Sequence, residues 1–150
     1  MNLVHKVYAY VTHGKRLLVF NHVDFPQEAP QVPGGTCLEK ENPDDAVLRE
    51  AWEETGLDNL RLEAFLGEID FIGHEANTIY RRRFYHLICE DAPAQRWQHY
   101  EEDPSDGSTE PILFELYWVD LPNDVPNLAP GHDAFLPLLL ARLQRHQEDS

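Results

Sequence analysis

The stretch from Gly35 to Leu57, GTCLEKENPDDAVLREAWEETGL, concentrates carboxylates and one arginine at intervals that could do chemistry. Gly35 is followed by five residues and Glu41, then by seven residues and Arg49-Glu50, Ala51, Trp52, Glu53-Glu54, Thr55, Gly56 and Leu57. On a helix, positions i, i+3 and i+4 are neighbours, so Glu50, Glu53 and Glu54 share one face. Three such carboxylates repel one another, with only Arg49 nearby to offset them. A divalent cation placed among them would relieve that repulsion. Oxygen-only ligands suit a hard ion, Mg2+ first and Mn2+ second. An acidic helix face taken alone would be read as a solvated surface. The register of Gly34-Gly35, Glu41 and Arg49 with the glutamates argues for a built site.

The element that must carry these groups has its own start and stop signals. Asn42 can cap a helix, Pro43 suits its first position, and Asp44 and Asp45 follow in the first turn. Gly56 stands where a left-handed cap ends the helix. Val47, Leu48, Ala51, Trp52 and Thr55 recur at helical spacing and form the expected apolar side.

Complete in every fixed position, the segment resembles the signature of the Nudix (MutT-like) hydrolases. Each of those positions holds a residue of about 5–8% average usage, so the coincidence would arise about once in a million such chains. The resemblance implies an α/β fold in which a mixed β-sheet is sandwiched between helices, an α/β/α sandwich. It implies Mg2+-dependent hydrolysis of a diphosphate linkage in a nucleoside di- or triphosphate, or in a nucleoside diphosphate joined to another group. By the same resemblance Gly35 would offer its carbonyl to the metal, and Glu53 and Glu54 would ligate it. Glu50 would be a further ligand or the base, and Arg49 would hold a glutamate in place, with Glu41 as its expected partner. The family often adds a glutamate from a distant loop, which points to Glu101, Glu102 or Glu110, with Glu102 preferred for the turn at Asp103-Pro104. Two markers of narrower substrate classes, a proline or a tyrosine about sixteen residues past the motif, are replaced here by Phe71-Ile72-Gly73-His74. The alternative is a nucleotide-binding domain that does not cleave; such domains usually lose motif glutamates that this chain keeps.

Other residues have weaker patterns. Arg81 and Arg83 could add positive charge for phosphates, and Tyr80, Phe20, Trp97 and Tyr100 could stack on a base. His99 lies in the same polar stretch as the extra glutamates.

Along the rest of the chain, 4–11 and 16–20 read as a hairpin, 60–72, 79–89 and 112–119 as strands, and 133–146 as a helix buried through Phe135, Leu136, Leu139, Leu140 and Leu143. A short strand at Gln31-Val32 is expected, and 90–111 reads as a long polar loop. In the strand at 60–72, Leu62, Ala64 and Leu66 are expected on one face. One domain over 1–150 is expected, either monomeric or homodimeric. The net charge of −15 excludes an extended nucleic-acid surface, which needs clustered Lys and Arg. A small nucleotide-type substrate remains compatible with it, because bound cations reverse the local field. No apolar run is long enough to cross a bilayer. Cys37 and Cys89 make no disulfide framework, so a reducing cytoplasm is the expected compartment.

Overall fold

Among the described residues, seven strands and two helices appear in the order β1 (Asn2–His13), β2 (Arg16–His22), β3 (Gly34–Thr36), α1 (Pro43–Thr55), β4 (Leu60–Ile72), β5 (Thr78–Cys89), β6 (Arg96–Glu101), β7 (Ile112–Asp120) and α2 (Leu136–Glu148). The computed structural model describes residues 2–73, 75, 77–91, 94–101 and 110–148, with side chains to residue 145.

The sheet is mixed, ordered β4-β5-β1-β2-β7-β6, with β1 and β5 parallel and the other pairs antiparallel. Its organising feature is a fork beside β1. That strand pairs with β2 only at Thr12 and His13, next to the hairpin turn, and then the two diverge. The gap is filled by the segment from Gln31 onward: Gln31 bridges Phe20, and β3 pairs with Lys6, Val7 and Tyr8 of β1. The short strand expected at Gln31-Val32 is thus an isolated bridge, and the pairing strand begins two residues later.

Alternation along the strands splits the core in two. One cluster, with Val7, Ala9, Val11, Tyr85, Leu87 and Leu116, packs under Ala46, Val47 and Ala51 of α1. The other, with Tyr8, Tyr10, Val19 and Phe84, packs under Leu139 of α2. This is the expected helix–sheet–helix arrangement. The face expected for β4 is corrected: register shifts fall between Leu62 and Ala64 and between Phe65 and Gly67, so Leu62 joins the α1 side while Ala64 and Leu66 join the α2 side. An extra residue in one strand inverts the alternation beyond it.

The α1 seam also departs from the apolar stripe. Its buried residues are Ala46, Val47, Glu50, Ala51, Glu54 and Thr55, whereas Trp52 is 55% exposed. Two of the glutamates therefore lie within the packed seam rather than opposite it. The helix begins as expected, with the Asn42 side chain accepting from the Asp44 N–H at 2.8 Å, and ends at Gly56 in the left-handed region, φ 77°. The stretch read as a loop over 90–111 contains β6, which pairs with β7 from Arg96–Tyr117 to Glu101–Ile112. Its polar composition hid a period-two alternation in which Trp97, His99 and Glu101 face α1.

The chain before α2 is pinned by one buried hydroxyl. Tyr10 donates to the His132 carbonyl at 2.7 Å and accepts from the Phe135 N–H at 3.1 Å. His132 Nδ1 in turn accepts from the Val32 N–H at 3.2 Å. Replacing Tyr10 with phenylalanine leaves two buried backbone groups without this partner, so the expected loss is about 1–3 kcal/mol. Urea melts of Tyr10→Phe check this, and a loss under about 0.5 kcal/mol would show that the hydroxyl does not secure α2.

Candidate functional site

The glutamates of α1 meet β3 at the fork. The glutamate side chains are placed by a close approach: a Cβ at Gly35 would occupy the Glu50 carboxylate position, so glycine is required there. Glu54, at 7% exposure, accepts from the Gly34 N–H at 2.5 Å through Oε1. Arg49 binds most of the rest. Its Nε and Nη2 donate to the two Glu41 oxygens at 2.7 and 2.9 Å, the pairing expected for it. Its Nη1 reaches Glu50 Oε1 at 3.0 Å and Glu53 at 3.2 Å, and Nη2 also donates to the Thr36 carbonyl at 3.1 Å. This multiple engagement raises the Arg49 pKa, chiefly through Glu41.

β6 delivers one more carboxylate. The Trp97 indole donates to the Thr55 carbonyl at 2.9 Å, and His99 Nε2 lies 3.0 Å from the Glu53 carbonyl, which accepts from it. Both carbonyls belong to the last turn of α1, where no intrahelical donor serves them. Two residues further on the same face, Glu101 is 3% exposed, and its carboxylate meets those of Glu50 and Glu53 with ligand atoms within 4.8 Å of one another. Glu101 is thus one of the three expected glutamates and joins the cluster; Glu102, the preferred one, lies outside the described residues. Glu110 is exposed and lines a different hollow with His22, Asp24 and Phe25.

Electrostatics follow from this crowding. Burial, with a further push from Glu53 that Arg49 opposes, raises Glu50 to a pKa of about 7. Burial and then the Glu101 charge hold Glu54 well above the ordinary carboxylate range. Glu50 Oε2 is buried and has no hydrogen-bond partner among the described residues. An orphaned carboxylate oxygen, next to two other carboxylates with their oxygens converging, fits a hard divalent cation. Glu50, Glu53 and Glu101 would hold it, with Glu54 beside them.

The residues suggested for substrate contact divide differently. Phe20 is 1% exposed and packs on Phe114 at 4.4 Å, so it is core rather than a stacking platform. The Tyr80 hydroxyl bonds Glu75, and its ring lies against Gly73. Arg81 forms a two-pronged pair with Asp70 at 2.8 and 3.0 Å. Arg83 pairs with Glu68 at 3.2 Å and lies over the Phe65 ring. None of the four joins the carboxylate cluster. Tyr100 is 56% exposed.

Sequence reasoning missed Lys6. It points from β1 into a hollow of about 140 Å³ shared with Glu54, Glu101 and Gly34, and donates to Thr36 Oγ1 at 3.2 Å. Its signal was a lysine in phase with the buried Tyr8 and Tyr10 on the same strand face.

A family model described as NUDIX domain matches residues 4–139. The chain belongs to the Nudix hydrolase family. Among solved structures, a UDP-X diphosphatase superposes with a TM-score of 0.67 at 18% identity, over 97% of this chain and 65% of that one. The chain therefore spans about two thirds of that protein's length. A MutT Nudix hydrolase from Burkholderia pseudomallei gives 0.62 at 20% identity, over 91% and 98%. The Nudix domain of Shewanella oneidensis NrtR, solved with ADP ribose, gives 0.61 at 16% identity, over 98% and 89%. At these identities the likeness is one of fold. No curated protein sequence matches the chain. Among the described residues no helix is long and apolar enough to cross a membrane.

The raised Glu50 value has a consequence for stability. Between the ordinary 4.5 and about 7 the folded protein binds a proton that the unfolded chain releases. The stabilisation is therefore complete below about pH 4.5 and is lost as pH rises through 7, at up to about 1.4 kcal/mol per pH unit. In chelator, Glu50→Gln should gain stability relative to the unsubstituted protein as pH goes from 5 to 7. Parallel urea melts at the two pH values measure the gap, and an unchanged gap would contradict the assignment.

Proposed function

We propose that this protein is a Mg2+-dependent pyrophosphohydrolase, Mn2+ substituting, that cleaves the diphosphate linkage of a nucleoside di- or triphosphate or of a nucleoside diphosphate joined to another group. The observation that carries the reading is the convergence of Glu50, Glu53 and Glu101 at the Gly35 edge of β3, one oxygen of Glu50 being buried and unpartnered. When bound there, a divalent ion supplies charge neutralisation on the phosphate oxygens and acidifies water. Glu50, Glu53 and Glu101 would hold the ion, with Glu54 beside them, and the Gly35 carbonyl is a further candidate donor. Arg49 keeps Glu41, Glu50 and Glu53 oriented, as a positioning residue. The alternative role for Glu50, whose pKa in the metal-free protein is about 7, is the base that takes a proton from the attacking water at neutral pH. The leaving group is itself a phosphate and needs little help from an acid, which accords with a cluster built from carboxylates. The folds shared with a UDP-X diphosphatase and an ADP-ribose-bound domain support a nucleotide-type substrate.

A panel of nucleotides assayed for phosphate or pyrophosphate release with Mg2+ tests the reading. Release should vanish in chelator and return with Mg2+ or Mn2+. Glu53→Gln and Glu54→Gln should lower kcat by on the order of a thousandfold while the metal-free fold persists, since the ion's stabilisation is worth several kcal/mol. Glu101→Gln should cost on the order of a hundredfold and Glu110→Gln little. Turnover in excess chelator would refute the proposal, and nucleotide binding without any turnover would instead assign a sensing role.

A further inference from the structure

The region of the carboxylates is heavily negative, and a diphosphate must nevertheless enter it. Most of the cations near it are already committed. Arg49 is saturated by Glu41, Glu50 and Glu53. Arg81 and Arg83 are paired with Asp70 and Glu68. Arg82 lies over the Phe71 ring at 4.0 Å and donates to the Pro130 carbonyl at 2.8 Å.

Lys6 differs from all of these in its position. It is the one cation among the described residues lining the hollow next to Glu54 and Glu101. Its ammonium donates one hydrogen bond, to Thr36, and makes no ion pair within 4 Å among the described residues. An ammonium has three donors, so two stay available. The hollow, about 140 Å³, has the volume of about five water molecules. That is room enough for phosphoryl groups. β1 fixes Lys6 here by register: it lies opposite Thr36 on β3 and Arg82 on β5, one residue before Val7, whose partner is Gly35. Burial lowers the Lys6 pKa, while Glu50 and Glu54 act against that, being close enough to feel its charge.

We infer that Lys6 is a phosphate-binding residue of this site, donating from β1 to a non-bridging oxygen of the diphosphate on the side of the hollow opposite the glutamates. The inference rests on the pyrophosphohydrolase reading. It assigns the anion's charge compensation to two sources: metal ions held by the α1 and β6 carboxylates, and one fixed ammonium from the sheet.

The test exploits opposite signs. Lys6 repels a metal ion and attracts a phosphate, so removing its charge should affect the two in opposite directions. Imidodiphosphate, whose P–N–P bridge resists hydrolysis, is titrated with Mg2+ into the protein by calorimetry, and Mn2+ is titrated alone. Lys6→Met should weaken imidodiphosphate about tenfold or more, as for loss of a charged hydrogen bond, and leave Mn2+ affinity equal or tighter. Lys6→Gln, which can still bond Thr36, should behave like Lys6→Met, and Lys6→Arg should recover part of the affinity. Should Lys6→Met not fold, Lys6→Gln decides. Imidodiphosphate affinity within twofold of the parent overturns the inference, as does a parallel fall in Mn2+ affinity, which would make Lys6 a support for the cluster. Nucleotide turnover by the parent protein is followed separately. If it is absent while Lys6→Met still loses imidodiphosphate, the hydrolase reading fails and the Lys6 assignment stands; the reverse pattern sinks Lys6 alone.

Discussion

Like charges held close together in a partly dry place are the constraint around which this molecule is arranged. Glu50, Glu54 and Glu101 are each nearly buried, and Glu53 completes the group. Burying carboxylates without compensation is costly, and proximity adds repulsion. The protein manages this with fixed donors rather than by separating the charges. The Gly34 N–H serves Glu54, and the Arg49 guanidinium is shared among Glu41, Glu50 and Glu53. What these donors leave over, one buried oxygen of Glu50, is the vacancy in hydrogen bonding that a cation would satisfy.

Several parts of the fold make sense only in that light. The divergence of β1 and β2 creates a gap, and filling it with Pro33-Gly34-Gly35 puts the Gly34 N–H and the bare Gly35 Cα against the helix. Had the hairpin stayed paired along its length, α1 would face a flat sheet with no unpaired donor for Glu54. β6 has a second role beyond sheet edge, since Trp97 and His99 satisfy the last carbonyls of α1 and thereby fix how far Glu101 reaches. A clasp on backbone carbonyls is insensitive to the protonation of the carboxylates next to it, which keeps the frame constant while the site's charge changes.

The motif, the helix limits, the Arg49–Glu41 pair and the order of most elements were legible because each is written in local residue types at fixed spacing. What escaped was set by pairing across the chain. The bulges that turn Ala64 and Leu66 to the other face leave no trace in composition, because Leu62, Ala64 and Leu66 alternate smoothly along the strand. β6 was hidden because Gln98 and Tyr100 face outward while its inward positions hold Trp, His and Glu, so hydrophobicity alone gave no period. Phe20 looked available because aromatics near strand ends are ambiguous until the partner, Phe114, is placed. Arg81 and Arg83 looked like phosphate contacts because their acidic partners, Asp70 and Glu68, sit on the neighbouring strand more than ten residues away. Lys6 went unremarked for the complementary reason. Its significance lies in having no ion-pair partner among the described residues.

The small residues of the α1 seam connect packing to chemistry. Ala46 and Ala51 are fully buried. Their size lets the helix approach the sheet closely, until Glu50 abuts the Cα of Gly35. Substituting a leucine at Ala51 would add volume where the interior is already close-packed and push the helix outward. A shift of even a fraction of an ångström would open the contact at Gly35 and admit water to Glu50, and desolvation is the main reason its proton affinity is raised. The desolvation that raises Glu50 therefore depends on how closely these alanines let the helix approach. Conversely, the glutamates in the seam limit how much apolar area α1 can bury, so the large side chains of the sheet, Tyr85, Phe114 and Leu116 among them, carry the cohesion on that side. The site's reactivity and the helix's packing are one geometric variable, the distance between α1 and β3.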